Sequence, residues 1–128
     1  MRRSHEISLI LLLLGLVGVA YAQRPVAVIF HAAEAGNVNG TAPVTDGFTM
    51  VAVQSVIADA GDATLNLEGS QDTSTYVAVM CRNLATFAYA TTATGNVVLQ
   101  CDISGLRRFR VRTSGTTQGS VTVTGYLK

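Results

Sequence analysis

Charge is scarce in this chain. Acidic and basic residues make up 13% of its 128 positions, the formal net charge is +1, and Lys128 is the one lysine. Such a chain has no basic field with which to capture nucleic acid in bulk. Histidine is as rare, at His5 and His31 only. There is no G-x-S-x-G, no H-E-x-x-H and no Cys/His cluster with metal-ligand spacing. Glu68 and Asp72 are close in sequence, but a strand end and a turn do not make a defined acid/base pair. The expectation is a protein that is not an enzyme and holds no cofactor or metal. Calcium finds little footing either. Asp59, Asp62 and Asp72 sit in turns without EF-hand spacing, and Asp is a common turn former.

The one long apolar run stands at the N-terminus. Arg2 and Arg3 precede it, residues 7–19 are apolar apart from Ser8 and two glycines, and Ala20-Tyr21-Ala22 offers small residues at the positions a signal peptidase reads. Residues 7–22 number 16, short of the roughly 20 that span a bilayer. Residues 1–22 are thus expected to be a cleaved signal peptide. Residues 23–128 would then be one exported domain, extracellular or periplasmic, with no membrane span left. No cysteine follows the run to carry a lipid. Cleavage removes Arg2, Arg3 and Glu6, so 9 − 2 = 7 basic residues face 8 − 1 = 7 acidic ones. The mature domain is formally neutral.

Helix signals are nearly absent beyond the leader, and short alternating runs of Val, Thr, Ile, Tyr and Phe take their place. Strands are expected near 26–33, 48–57, 63–69, 75–81, 86–90, 96–102, 107–113 and 120–127. About eight short strands point to an all-β fold, a single antiparallel β-sandwich of jelly-roll or immunoglobulin-like type. Side-chain alternation turns Leu65, Leu67, Val77, Val79, Leu99, Phe109, Val111, Val121 and Val123 inward, and Thr122 outward. Cys81 and Cys101 share the inward parity of their strands. In an exported chain this pair reads as a disulfide. Their separation of 20 corresponds to about 3 kcal/mol of stabilisation on the chain-entropy account. Residues 34–46, rich in Gly, Asn, Pro and Thr, read as a mobile loop, with Asn39-Gly40 a plain turn rather than a glycosylation site. His31 reads as a half-buried strand residue, not a general base.

One segment stands out. Arg108, Arg110 and Arg112 alternate with Phe109 and Val111, which puts three guanidiniums on one face. The following strand offers Ser120, Thr122, Thr124 and Tyr126 on the matching parity. Arg108, Arg110, Arg112 and Tyr126 therefore form a candidate interaction face for an anionic (sulfated or phosphorylated) glycan, lipid headgroups or a partner's carboxylates. The competing reading is a solvated sheet face with cross-strand acidic or Thr neighbours; arginines with a structural role would instead pair with Glu68 or Asp102.

Two segments carry a resemblance. Residues 64–79, TLNLEGSQDTSTYVAV, resemble a strand–turn–strand hairpin of small β-sandwich proteins, with Thr73 where the pattern has Gly and Tyr76 where it often has Trp. Residues 105–112 and 119–123, GLRRFRVR and GSVTV, resemble their closing hairpin. The order is similar to that of phage virion proteins of the tail and decoration type, and more weakly to discoidin-type carbohydrate-binding modules. The resemblance implies a sandwich in which Tyr76 packs near its turn.

The expected function is that of a secreted, non-enzymatic β-sandwich, a structural or adhesive subunit of an extracellular assembly. Its partner would be another protein or a second copy of itself. The alternatives are a glycan-binding module that uses the Arg face and a phage-derived virion structural protein.

Overall fold

The computed structural model describes residues 24–58, 63–115 and 119–128. The expected leader and the Asp59/Asp62 turn lie outside the described residues. The described chain is all β, in ten strands: β1 Val26–Glu34, β2 Met50–Ala58, β3 Thr64–Ser70, β4 Val77–Ala78, β5 Cys81–Asn83, β6 Tyr89–Ala90, β7 Thr92–Thr94, β8 Val98–Asp102, β9 Arg108–Ser114 and β10 Ser120–Leu127.

They form two sheets, with antiparallel pairing throughout. The larger runs β1-β10-β2-β8-β5-β6. The smaller centres on β3. β9 pairs along the whole of one side of β3, while β4 and β7 share the other side, against Glu68–Gly69 and Thr64–Asn66 respectively. Alternation decides which residues lie between the sheets. Leu65 and Leu67 of β3, Phe109 and Val111 of β9, Leu99 of β8, and Val121 and Val123 of β10 are all buried as expected, joined by Phe30, Val51, Val53 and Ile103. Phe30 and Phe109 meet edge to face across the two sheets, with centroids 5.6 Å apart. Such a contact adds roughly 0.5–1.5 kcal/mol beyond area burial.

Cys81 and Cys101 are joined as a disulfide. They sit directly opposite each other on β5 and β8 and are fully buried, so the bridge fixes a three-residue strand to the sheet.

Four expectations need correction. Val77 is 59% exposed and Val79 only partly buried. The expected strand at 75–81 is in fact two strands of different sheets, because the chain leaves β4 in the smaller sheet and enters β5 in the larger. Side-chain parity does not survive that crossing. Second, β7 lies outside the expected strands, because Thr92–Thr94 has no apolar alternation to mark it. Third, the segment after β1 is held in place. Thr41 N–H donates to Phe30 O, Thr113 N–H to Val38 O and Thr45 N–H to Arg107 O, and the Thr113 hydroxyl donates to Gly36 O. This segment thereby covers the edge of β9 that β3 leaves free. Gly40 is required within it. Its φ is +72°, and a Cβ there would lie 2.6 Å from Val111 O and from the His31 ring. Fourth, β9 and β10 do not form a hairpin. β9 is taken on both edges, and β10 is clamped between β1 and β2 in the other sheet.

Candidate functional site

The Arg ladder stands on the outer face of the smaller sheet. Register sets Arg112 opposite Asn66, Arg110 opposite Glu68 and Arg108 opposite Ser70. Glu68 lies between two arginines and accepts from both. Arg110 Nε donates to Oε2 at 2.7 Å and Arg112 Nε to Oε1 at 2.9 Å. The Glu68 side chain is 13% exposed. Partial burial pushes its carboxyl up, but hydrogen bonds and charge from Arg112 and Arg110 outweigh this and hold it below the usual carboxylate range. The Arg110 guanidinium stacks 3.8 Å above the Tyr76 ring, a cation–π contact. Arg108 Nη1 donates to Ala42 O in the segment that covers β9. Asn66 Nδ2 donates to Arg112 O and to the Ser114 hydroxyl.

The three arginines are therefore engaged with their own fold. Glu68 offsets one positive charge of three, so the face is a paired cluster with a net positive charge rather than an open row of guanidiniums. Asp102 is not a partner. It lies on β8 of the other sheet, where the Ser104 N–H bond lowers its pKa. Tyr126 is also separated from the ladder, on the outer face of the larger sheet. The structure thus joins Arg110 and Arg112 through Glu68, sets Arg110 over Tyr76, ties Arg108 to Ala42 and detaches Tyr126. Tyr76 was legible only through the hairpin resemblance. Its pairing with Arg110 depends on a contact 34 residues apart that no local pattern encodes.

His31 is fully buried rather than half-buried. Its Nε2–H donates to Val111 O of β9, and Nδ1 pairs with the Glu34 carboxylate. The ring ties β1 of one sheet to β9 of the other. Asp72 is occupied in the hairpin turn, where Oδ1 accepts from Ser74 N–H, Thr75 N–H and the Ser70 hydroxyl. The backbone bonds from Thr75 and Ser74 hold its carboxyl far below the usual range. Among the described residues, no three His, Cys, Asp or Glu side chains converge as a metal site.

The model of the XepA family matches residues 24–127. Two solved structures share the fold. The SPBc2 prophage-derived protein YomS is 20% identical, with a TM-score of 0.75, over 84% of this chain and 97% of that one. The PBSX exported protein XepA is 16% identical, with a TM-score of 0.79, over 84% of this chain and 39% of that one. The chain thus spans about two fifths of the length of XepA. Among curated proteins, none matches the chain.

Proposed function

The chain belongs to the XepA family, and from that premise we propose that it is an exported, phage-derived β-sandwich that works without catalysis, as a structural or adhesive subunit through its surfaces. The observation that carries this reading is the extent of the family match, residues 24–127, which begins two residues after the expected cleavage site. A relative described as exported and another described as prophage-derived support the location and the origin. The architecture supports action by contact. β1 lies at the edge of the larger sheet, and strand addition could extend it over Val26–Ile29, ahead of the Phe30 carbonyl that Thr41 takes.

The test is light scattering of the secreted protein across salt and pH, with co-sedimentation against particles from an induced culture. Assembly or particle association is expected. A protein that stays a dilute monomer and never sediments with particles overturns the reading.

A further inference from the structure

The outer face of the larger sheet carries a feature that the surface-contact reading leaves unused. The register aligns one residue from each of five adjacent strands in a single row: Tyr126, Ala52, Gln100, Arg82 and Tyr89. Aromatic rings mark both ends, Tyr126 58% exposed and Tyr89 64% exposed. Four interstrand steps separate them, about 19 Å at a spacing of roughly 4.8 Å. Between them the floor is low and polar. Arg82 Nη2 donates to Gln100 Oε1 at 3.0 Å, and the Gln100 amide nitrogen faces the Met50 sulfur, a weak acceptor. Met50, Gln100, Arg82, Tyr89 and Asp102 line one open groove at this end of the row. Phe87, 67% exposed, stands beside it with Arg82 5.8 Å from its ring, and its φ of 60° is a conformation bulky residues rarely adopt.

We propose that this row is a binding site for a neutral polysaccharide, with Tyr89 and Tyr126 stacking on sugar rings while Arg82 and Gln100 between them, and Asp102 beside the row opposite Met50, bond the hydroxyls. The proposal rests on the adhesive part of the function above and names its ligand class. Charge selects the ligand. Arg82 and Asp102 cancel, so an anionic chain meets Asp102 and a cationic one meets Arg82. An apolar peptide would bury these three side chains with their remaining donors and acceptors unmet, which is costly. A hexose polymer offers hydroxyls that both donate and accept, matching a guanidinium, a carboxylate and an amide together. Its ring C–H faces suit the exposed tyrosines, whose bodies are apolar and whose tips are polar. The site is separate from the arginines of β9, which lie on the other sheet.

Chromatography of the secreted protein on immobilised dextran, mannan or laminarin tests this, with immobilised heparin as the anionic comparison. At least one neutral polymer is expected to retain the wild-type protein, with little change at 0.5 M salt. Tyr89→Ala and Gln100→Ala should each weaken the retention at least tenfold, and Tyr89→Phe should preserve it. Thermal melts confirm that the variants fold. Should Tyr89→Ala unfold, Tyr126→Ala at the far end of the row is the deciding variant, and it too should weaken retention. Absence of retention by all three neutral polymers overturns the proposal. So does retention that survives a folded Tyr89→Ala or Tyr126→Ala, or retention by heparin alone. Binding to a random-peptide array through Tyr89 and Arg82 also overturns it, in favour of a protein ligand. Light scattering on the same samples separates the two readings. Assembly without polymer binding removes the groove and leaves the subunit role, whereas loss of both removes both.

Discussion

Thr73 has a φ of 69° in the turn after β3, where a β-branched side chain crowds the backbone. Three hydrogen bonds to Asp72 hold that turn in place, so the local network bears the strain. The sequence marks this position, since the hairpin pattern it resembles has Gly there. Thr73→Gly is expected to stabilise the protein by about 0.5–1 kcal/mol, the relief of left-handed strain less the added freedom of the unfolded chain. A urea melt with an unchanged slope and a higher midpoint would show it. No increase would mean that the Asp72 bonds make the conformation favourable for Thr as well. Other single residues were less legible. The sequence placed His31 in a strand, but its full burial depends on Gly40 and Val111, which come from distant segments. Sequence spacing gave the Arg ladder its common face, yet not Tyr76 beneath Arg110.

Long strands were legible where one face is buried along their whole length. β2, β3, β9 and β10 alternate almost without fault and fall close to their expected bounds. The short strands were not, because two or three residues carry no period. That is why alternation joins β4 and β5 into one expected strand and points Val77 toward the core. The disulfide secures what pattern cannot. Cys81→Ser or Cys101→Ser should each lower stability by about 3 kcal/mol, since either loses the same link. Calorimetry of the two single variants and of the double variant checks this, and the three should melt within a few degrees of one another. Changing Arg108, Arg110 and Arg112 together to Gln leaves Glu68 charged, partly buried and without its two cations, at a cost of about 1–3 kcal/mol. Adding Glu68→Gln to that variant should recover part of the loss. A triple variant as stable as the wild type would show that the pairs contribute as little as typical exposed ion pairs.

At the scale of the molecule, the all-β class was legible from composition and alternation, and the order of strands was not. Nothing local says that β9 and β10, adjacent in the chain, belong to different sheets. That outcome follows from β3 and the 35–47 segment occupying both edges of β9. The same long-range bonds fix how stability responds to acid. Glu68, Asp72 and Asp102 all have carboxyls held below their ordinary values, Glu68 by its arginines against the effect of burial, the aspartates chiefly by backbone N–H groups. A carboxyl with a lowered pKa in the folded state contributes stability above its unfolded pKa, near 3.9 for Asp and 4.3 for Glu, and loses it as pH falls through the folded value. The urea midpoint should therefore hold between about pH 8 and pH 6 as far as these three groups go, begin to fall below about pH 5, and continue falling in stronger acid. Asp72→Asn should lower the midpoint at neutral pH and flatten the acid decline, because the amide keeps an acceptor oxygen but has no charge to lose. A decline as steep in Asp72→Asn as in the wild type would move the acid sensitivity away from the hairpin turn and onto Glu68, where Glu68→Gln would be the variant to flatten it.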